Sequence, residues 1–321
     1  SFGPRYLLHR EARELHARLA NELRELTGID VGFCRWGIMD LLFTPGDIKA
    51  ADRCHALQRQ AGLRVERLTR EEAVRLEPAI TPDIQGAIRY PDEAHVHNGR
   101  LTIALAEAAR RTGAELCPDE PALSLLRQGE RIVGVRTSLD TIQADTVVIA
   151  NGAWAAELVR PLRLAIPVKP MRGQMLAVRT VPRAVHQVIY GRHMYVVPRP
   201  EGEALIGATV EDAGFHKEVT LDGLEELIQA GRRVVPGIMP APVLRTWAGL
   251  RPGSPDGLPL VGSVEGLVGL CLAVGHYRNG ILLGPMTGVL VKQLLVEGRR
   301  SPHLELLRPE RFPIRQESVE A

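Results

Sequence analysis

The amino-acid sequence predicts a mixed α/β (α+β) fold in which an α/β body and a mostly antiparallel body alternate along the chain. Apolar residues recur at helical spacing in several stretches. An apolar β-branched run over 146–152 ends in glycine, which is typical of a buried parallel strand. Between 168 and 250, short apolar segments alternate with turns, as in an antiparallel sheet. The length of 321 residues suits two domains, or one domain with a large insertion.

In the first half of the chain, the sequence predicts helices whose first or last residues can be identified. Gly28 is expected to end the first helix, and the segment Thr44–Asp47 to begin a second that stops near residue 62. Thr69 and Glu72 have the spacing of a capping box for a short third helix. Asn98 is expected to cap a fourth helix.

Extended segments and strands fill most of the remainder. They are predicted over 31–44 and 84–98, over 114–152 as short strands with turns, over 168–252 with one helix inside, and over 267–274 before a last apolar helix. The polar tail 315–321 is expected to fray.

The composition argues against several classes of function. Hydrophobic residues make up 45% and charged residues 24%, as in ordinary globular proteins. The net charge of +2 predicts neither nucleic-acid binding nor an anionic-membrane surface. No apolar run approaches the roughly 20 residues of a bilayer span, and no signal peptide is recognised. The four cysteines are scattered, so we expect reduced thiols in a cytoplasmic protein.

Polar residues interrupt the joint between the strand 267–274 and the helix that follows, in the stretch GHYRNGILLGP (275–285). A strand that turns at once into a helix points backbone N–H groups and the positive helix dipole at one spot, which favours an anion. Gly280, Gly284 and Gly288 recur every fourth residue and leave one helix face bare. That face permits close approach either to a sheet, by tight packing, or to a large flat ligand.

Two arginines follow apolar strands. Arg278 lies between two apolar elements, where an unpaired charge would cost several kcal/mol. Arg251 ends another apolar strand in WAGLRPGSPDG. Because arginine grips a planar carboxylate through two parallel hydrogen bonds, both are candidates for binding a substrate carboxylate. The alternative is that Arg251 pairs with Asp256 and that Arg278 pairs with another acid of the protein.

Further polar residues carry weaker signals. His193 and Tyr195 alternate with apolar residues, so on a strand they share one face, which either is exposed or lines a pocket. In a pocket, Tyr195 could donate a hydrogen bond to a carboxylate. His97 is interpreted as structural. No metal-ligand spacing and no hydrolase or phosphate-loop motif occurs, so we predict no metal site and no catalytic acid–base side chain.

Four segments together resemble the D-amino-acid-oxidase-like FAD-dependent oxidoreductases, and most of all the glycine oxidases among them. They are VVIANGAWAAEL (147–158), HMYVVPRPEGEALIGATVED (193–212), WAGLRPGSPDGLPLVG (247–262) and GHYRNGILLGPMTG (275–288). The resemblance implies an FAD-binding Rossmann-like domain over 1–37, 95–167 and 253–321. It also implies an interleaved antiparallel-sheet domain over 38–94 and 168–252 that binds the substrate.

The resemblance also implies roles for single residues. Arg278 matches the arginine that binds the substrate carboxylate beside the flavin, Arg251 matches a second substrate-contacting position, and Tyr195 matches an active-site tyrosine. The implied FAD contacts are Ala122 at the adenine half and His276, Tyr277, Arg278, Asn279, Gly280, Ile281 and Leu282 against the flavin ring.

One departure from the family pattern concerns its first βαβ unit, which carries G-x-G-x-x-G. No such motif occurs here, and Ser1 matches a position after it. We expect the chain to be a fragment that lacks the N-terminal βαβ unit, the alternative being a member that cannot hold FAD.

The implied reaction is FAD-dependent oxidative deamination of glycine or a similar small amine, such as sarcosine or a small D-amino acid. Its products would be the oxo acid, ammonia and, with dioxygen as acceptor, hydrogen peroxide, in the service of thiamine biosynthesis. The family suggests a homo-oligomer, a tetramer. Two alternatives stay open: a D-amino-acid dehydrogenase with another electron acceptor, and a flavin-free, non-catalytic remnant.

Overall fold

The computed structural model describes residues 3–314. Within them the α-helices are α1 Pro4–Thr27, α2 Pro45–Gln60, α3 Arg70–Leu76, α4 Asn98–Arg111, α5 Ala155–Val159, α6 Leu221–Val234, α7 Gly280–Leu295 and α8 His303–Leu307. A short 3-10 turn, Tyr277–Asn279, precedes α7. The polar tail 315–321 lies outside the described residues.

The strands form two sheets. They are β1 Ile38–Leu42, β2 Glu66–Leu68, β3 Gly86–Tyr90, β4 Ala122–Gln128, β5 Arg131–Thr137, β6 Thr141–Gln143, β7 Val147–Ile149, β8 Lys169–Arg179, β9 Val188–Gly191, β10 Met194–Pro198, β11 Glu203–Gly207, β12 Val243–Gly253, β13 Leu260–Val264 and β14 Leu267–Val274. The larger sheet has the order β12-β8-β11-β10-β9-β1-β3-β2 and is antiparallel except where β1 meets β9. In the smaller sheet, β14 is parallel to β7 and β5 and antiparallel to β13. The predicted mixed α/β fold is confirmed.

The helix ends largely follow the sequence signals. Gly28 ends α1 in the left-handed region at φ 78°. Thr44 and Thr69 each form a complete capping box, at α2 and α3. The prediction for α4 was wrong by one residue: the cap is His97, whose Nδ1 accepts a hydrogen bond from the Arg100 N–H at 3.3 Å. The imidazole accepts from a backbone N–H of the first turn that has no partner within the helix. This capping contact confirms that His97 has a structural role, as predicted.

The extended segment predicted over 31–44 is only partly a strand. Strand β1 begins at Ile38, after Gly37 with φ 85°, and Cys34 forms an isolated bridge with His95. In the smaller sheet, β7 is parallel as predicted, but its Val148 is 38% exposed and so the strand is not fully buried.

The larger sheet packs one face against helices. Met39, Leu41, Ile189, Val196 and Ile206 share this face, and they form one buried cluster with Ala73 of α3 and with Leu227, Ala230 and Val234 of α6. A second buried cluster packs against the smaller sheet, and a third lies where α1, α7 and α8 meet. Among residues 3–314, no helix has the length and apolarity needed to cross a membrane, and the four cysteines are free thiols.

Candidate functional site

The second face of the larger sheet carries a row of polar and aromatic side chains. Strand register places Asp40 opposite Tyr190, Tyr190 opposite Tyr195, and, across Gly207, Met175 opposite Trp247. Because directly paired residues on neighbouring strands point to the same side, these side chains share one surface. The rings of Tyr190 and Tyr195 pack with centroids 5.5 Å apart.

Arg251 lies on the same face, four residues along β12 from Trp247. Its guanidinium lies over Gly173, where a Cβ would stand only 2.1 Å from Nη1. Nη1 donates to the carbonyl oxygens of Thr209 at 3.1 Å and Arg172 at 3.4 Å. Among residues 3–314, no carboxylate pairs with Arg251. The alternative partner, Asp256, instead binds Arg311 at 2.8 Å, so that interpretation was wrong.

Glu211 holds in place the segments around Arg172 and Thr209, whose carbonyl oxygens accept hydrogen bonds from Arg251. Its carboxylate accepts hydrogen bonds from Arg172, at 3.0 Å from Nε, from the Gln174 amide at 3.0 Å and from the Thr209 hydroxyl. Glu211 and Arg172 also exchange backbone hydrogen bonds. Desolvation alone would raise the pKa of Glu211, but the hydrogen bonds from Thr209, Arg172 and Gln174 and the charge of Arg172 bring it below the ordinary 4.5.

Arg278 lies in the 3-10 turn between β14 and α7 and is exposed to a cavity of about 800 Å³ above this sheet face. Asp40, Tyr190 and His193 line the same cavity. Burial raises the pKa of Tyr190, and the positive charge of Arg278 lowers it in part. In the described part of the chain, Arg278 has no carboxylate partner, so its guanidinium is available to a ligand.

A second cavity, of about 470 Å³, lies on the other side of the turn. His276, Tyr277, Gly280, Gly284 and Gly288 line it, together with Val148, Ala150, Pro252, Ala273, Thr287 and Val291. A Cβ at Gly284 or Gly288 would meet nothing within 4 Å. The bare glycine face is therefore open, and tight helix–sheet packing does not account for it.

The turn itself is built from constrained residues. Gly275 and Tyr277 both have positive φ, 79° and 48°, and the latter is a conformation that a tyrosine rarely adopts. The Tyr277 ring approaches Gly253, at the end of the strand that carries Arg251. Burial lowers the pKa of His276 to about 4, so the ring is neutral at neutral pH, and its Nε2 lies 2.8 Å from the Thr287 hydroxyl.

The other residues of the predicted site are dispersed. Tyr195 is half-buried on β10, and its hydroxyl donates to the Met175 sulfur at 3.5 Å, with no other acceptor among residues 3–314. His193 lies at φ 67° just before that strand, so it does not share a strand face with Tyr195 as predicted. Ala122 is exposed at the start of β4.

The residues that follow Arg278 face different ways. The Asn279 N–H donates to the His276 carbonyl at 2.9 Å. The Ile281 side chain is 47% exposed. Leu282 packs into the core between α1 and α7, and its carbonyl is 3.2 Å from Nε2 of His16.

Sequence reasoning missed four residues of this surface: Asp40, Gly173, Tyr190 and Glu211. Asp40 left a signal, since it is a single carboxylate inside the apolar run IMDLL. The roles of Gly173 and Glu211 depend on contacts across strands and on a loop, and no local pattern shows them.

We predict that Glu211→Gln lowers the free energy of unfolding by about 2–3 kcal/mol, because Arg172, whose side chain is 11% exposed, loses its charged partner. Since the pKa of Glu211 is lowered by folding, its contribution is present above pH 4.5 and is lost as the pH falls through the folded-state value. Denaturant unfolding between pH 3 and pH 7 measures both effects. Glu218→Gln, at a side chain that is 73% exposed, is the control. Equal stability of the two variants at pH 7 would contradict the role given to Glu211.

Comparison with known proteins identifies the family. The family model for FAD dependent oxidoreductases (DAO) matches residues 2–294. Hydrogen cyanide synthase subunit HcnC of Pseudomonas aeruginosa is 38% identical over 289 residues, 89% of this chain and 69% of that protein. Bifunctional protein ThiO/ThiG of Trichormus variabilis is 36% identical over 94% of this chain and 45% of its own length.

Solved structures agree with the sequence relatives. The crystal structure of glycine oxidase from Geobacillus kaustophilus superposes with a TM-score of 0.89 at 35% identity, covering 94% of this chain and 81% of that one. The chain spans under half of the bifunctional relative and about two thirds of the cyanide synthase subunit. The chain belongs to the DAO family of FAD-dependent oxidoreductases.

Proposed function

We propose that this protein oxidises glycine or another small amine, such as sarcosine or a small D-amino acid, to the oxo acid and ammonia, with dioxygen as the electron acceptor. The observation that carries the proposal is the pair of guanidinium groups, Arg251 and Arg278, on one side of the larger sheet without carboxylate partners among residues 3–314. Relatives named glycine oxidase and ThiO/ThiG support this substrate class and a role in thiamine biosynthesis.

The residues present fit a large flat cofactor. The open glycine face of α7, together with exposed Val148 and the neutral His276, forms an apolar wall that a ring system could approach closely. His276, Tyr277 and Gly280 would hold it there. FAD, when bound, supplies the two-electron chemistry of the reaction.

The protein's own contribution would be positioning. A small amino acid binds through its carboxylate, and Arg278 would grip that group while Arg251, held by Thr209 and Arg172, would orient it. The Tyr195 hydroxyl has a single hydrogen to donate, and its partner among the described residues is the weak sulfur acceptor of Met175, so it would exchange that contact for a hydrogen bond to the carboxylate. No side chain needs to act as an acid or base under this proposal.

The division into an FAD-binding domain (1–37, 95–167 and 253–321) and a substrate-binding domain (38–94 and 168–252) remains a proposal. So do the roles of the FAD contacts, the homo-oligomer and the cytoplasmic location. Strand pairing supports the division, because the larger sheet draws its strands almost wholly from 38–94 and 168–253.

Peroxide detection tests the electron acceptor. We expect the FAD-loaded protein to release one peroxide for each amine consumed under air. Amine consumption that requires an artificial acceptor, with no peroxide, would instead establish a dehydrogenase. A protein that is purified without absorbance near 450 nm, and that does not regain it with added FAD, would establish the non-catalytic alternative.

Arg278→Ala should raise KM for glycine by the equivalent of about 2–4 kcal/mol, because a charge-assisted bidentate contact is lost. Arg251→Ala should act in the same direction. Steady-state kinetics measure both effects, with Arg245→Ala as the control, since Arg245 lies on the same strand, has a side chain that is 53% exposed and pairs with Glu203. An unchanged KM in Arg278→Ala would rule out its assigned role.

Gly284→Ala separates the two interpretations of the bare helix face. Because the added Cβ meets nothing within 4 Å, we expect the cofactor-free protein to gain about 0.5–1 kcal/mol of stability from better helix propensity. The same methyl should obstruct a ring against that face and weaken FAD retention. Thermal unfolding without FAD and flavin titration measure the two effects. Gly99→Ala, in the first turn of α4, should leave FAD retention unchanged, and intact retention in Gly284→Ala would contradict the proposed location.

A further inference from the structure

The cavity above the larger sheet is larger than glycine requires. Its volume of about 800 Å³ falls within the range of about 300–1,000 Å³ that is usual for sites holding much larger ligands. Arg278 lies on its wall, and Asp40 and Gln58 lie there too. The cavity therefore offers a cation for a carboxylate and leaves room, with polar groups, for something more.

The Asp40 carboxylate is exposed to the cavity and has no partner in the part of the chain that the structure describes. It lies in the middle of β1, paired in register with Ile88 and Tyr190, and the core-facing residues Met39 and Leu41 flank it. It makes no hydrogen bond or ion pair with any residue between 3 and 314. Asp47, whose negative charge acts on Asp40, accepts hydrogen bonds at the start of α2 from the N–H groups of Phe43 and Thr44 at 2.9 Å.

Other charged and titratable groups on the cavity wall do not neutralise Asp40. The cationic or titratable ones are Arg192, His193, Arg233 and Arg278, and the remaining ones are Asp47, Cys54, Tyr90 and Tyr190. Burial, and then the negative charge of Asp47, raise the pKa of Asp40 to about 6, with no offsetting effect from any of the arginines. At neutral pH the carboxylate is ionised and open to the cavity.

The buried side-chain oxygen of Gln58, Oε1, is a second acceptor that receives no hydrogen bond from the described residues. The Nε2 of Gln58 donates to the Tyr90 hydroxyl at 3.4 Å, and the pKa of Tyr90, raised mainly by burial, is raised further by the charge of Asp40. Asp40, Tyr90 and Gln58 therefore form one acceptor-rich wall of the cavity.

A ligand that fills the cavity would strip water from this wall. A desolvated carboxylate without a partner costs several kcal/mol, whereas a charge-assisted hydrogen bond to an ammonium removes that cost. An apolar ligand would leave the Asp40 carboxylate unpaired. The complementary ligand carries an anion for Arg278 and a second, cationic group for Asp40.

We propose that Asp40 binds a side-chain ammonium of the substrate, so that the preferred substrate is an amino acid with a second amine rather than glycine itself. This inference rests on the proposed amine oxidation at the same site. It assigns Asp40 to specificity and leaves carboxylate binding with the arginines.

A matched pair of substrates tests the proposal. D-Ornithine and D-norleucine have side chains of equal length, and only the former ends in an ammonium. At pH 8 the FAD-loaded wild-type protein should oxidise D-ornithine with a kcat/KM about tenfold or more above that of D-norleucine. Asp40→Asn should abolish that preference, while Asp145→Asn, at a fully exposed side chain, should retain it. A preference that survives in Asp40→Asn, or a wild-type preference for D-norleucine, would overturn the proposal.

Failure of the oxidation itself gives a different result. If neither compound is consumed with oxygen or with an artificial acceptor, the proposed function fails. Calorimetric binding of the same two compounds to wild type and Asp40→Asn then decides the role of Asp40. Tenfold tighter binding of D-ornithine that is lost in the variant supports it, and equal binding overturns it.

Thermal unfolding supplies a readout independent of activity. Folding raises the pKa of Asp40 from 3.8 to about 6, so ionised Asp40 costs stability above pH 6 and protonated Asp40 does not. Asp40→Asn should therefore have a higher Tm than wild type at pH 8, and the gap should close as the pH falls through 6 toward 3.8. A lower Tm at pH 8 would show that Asp40 has a stabilising partner within the protein and would overturn the proposal.

Discussion

The alternation of side chains across the eight-stranded sheet is the constraint on which the site depends. Each strand places successive residues on opposite faces, so the register that buries Met39, Ile189, Val196 and Ile206 against α6 also aligns Asp40, Tyr190 and Tyr195 on the other face. A slip by one residue in any of these strands would exchange core and site. The packing of α6 against one face of the sheet thereby fixes the positions of the side chains on the opposite face.

The 3-10 turn after β14 explains why polar residues interrupt an apolar joint. Its left-handed Tyr277 reverses the chain so that His276 and the glycine face of α7 line one cavity while Arg278 lines the other. A regular strand-to-helix connection would not send neighbouring side chains to two sides. Under the proposed function, this turn sets the carboxylate-binding guanidinium beside the cofactor wall, and the positive φ of Tyr277 is the local strain that accompanies it.

Much of the fold could be predicted from the sequence because its signals are local. The capping box at Thr69, the start of α2 at Thr44–Asp47, the end of α1 at Gly28 and the strand 267–274 could be predicted from local spacing. The candidate arginines could be predicted because a charge at the end of an apolar strand needs a partner. The clamp from Glu211 through Arg172 to Arg251 could not, because it joins a loop to two strands of the sheet. The cap at His97 was missed because histidine is an uncommon cap.

Charged residues that hold the fold together differ from those of the candidate site in whether they pair with an opposite charge. Arg172 and Arg311, with side chains 11% and 14% exposed, each bind a carboxylate. These groups hold parts of the fold together, because an unpaired buried charge would destabilise it. Arg251, Arg278 and Asp40 are paired with no opposite charge in the described residues, and all three open onto one face of one sheet. Charges of both signs that have no protein partner on a single surface are complementary to a ligand that carries both signs, and an amino acid is such a ligand.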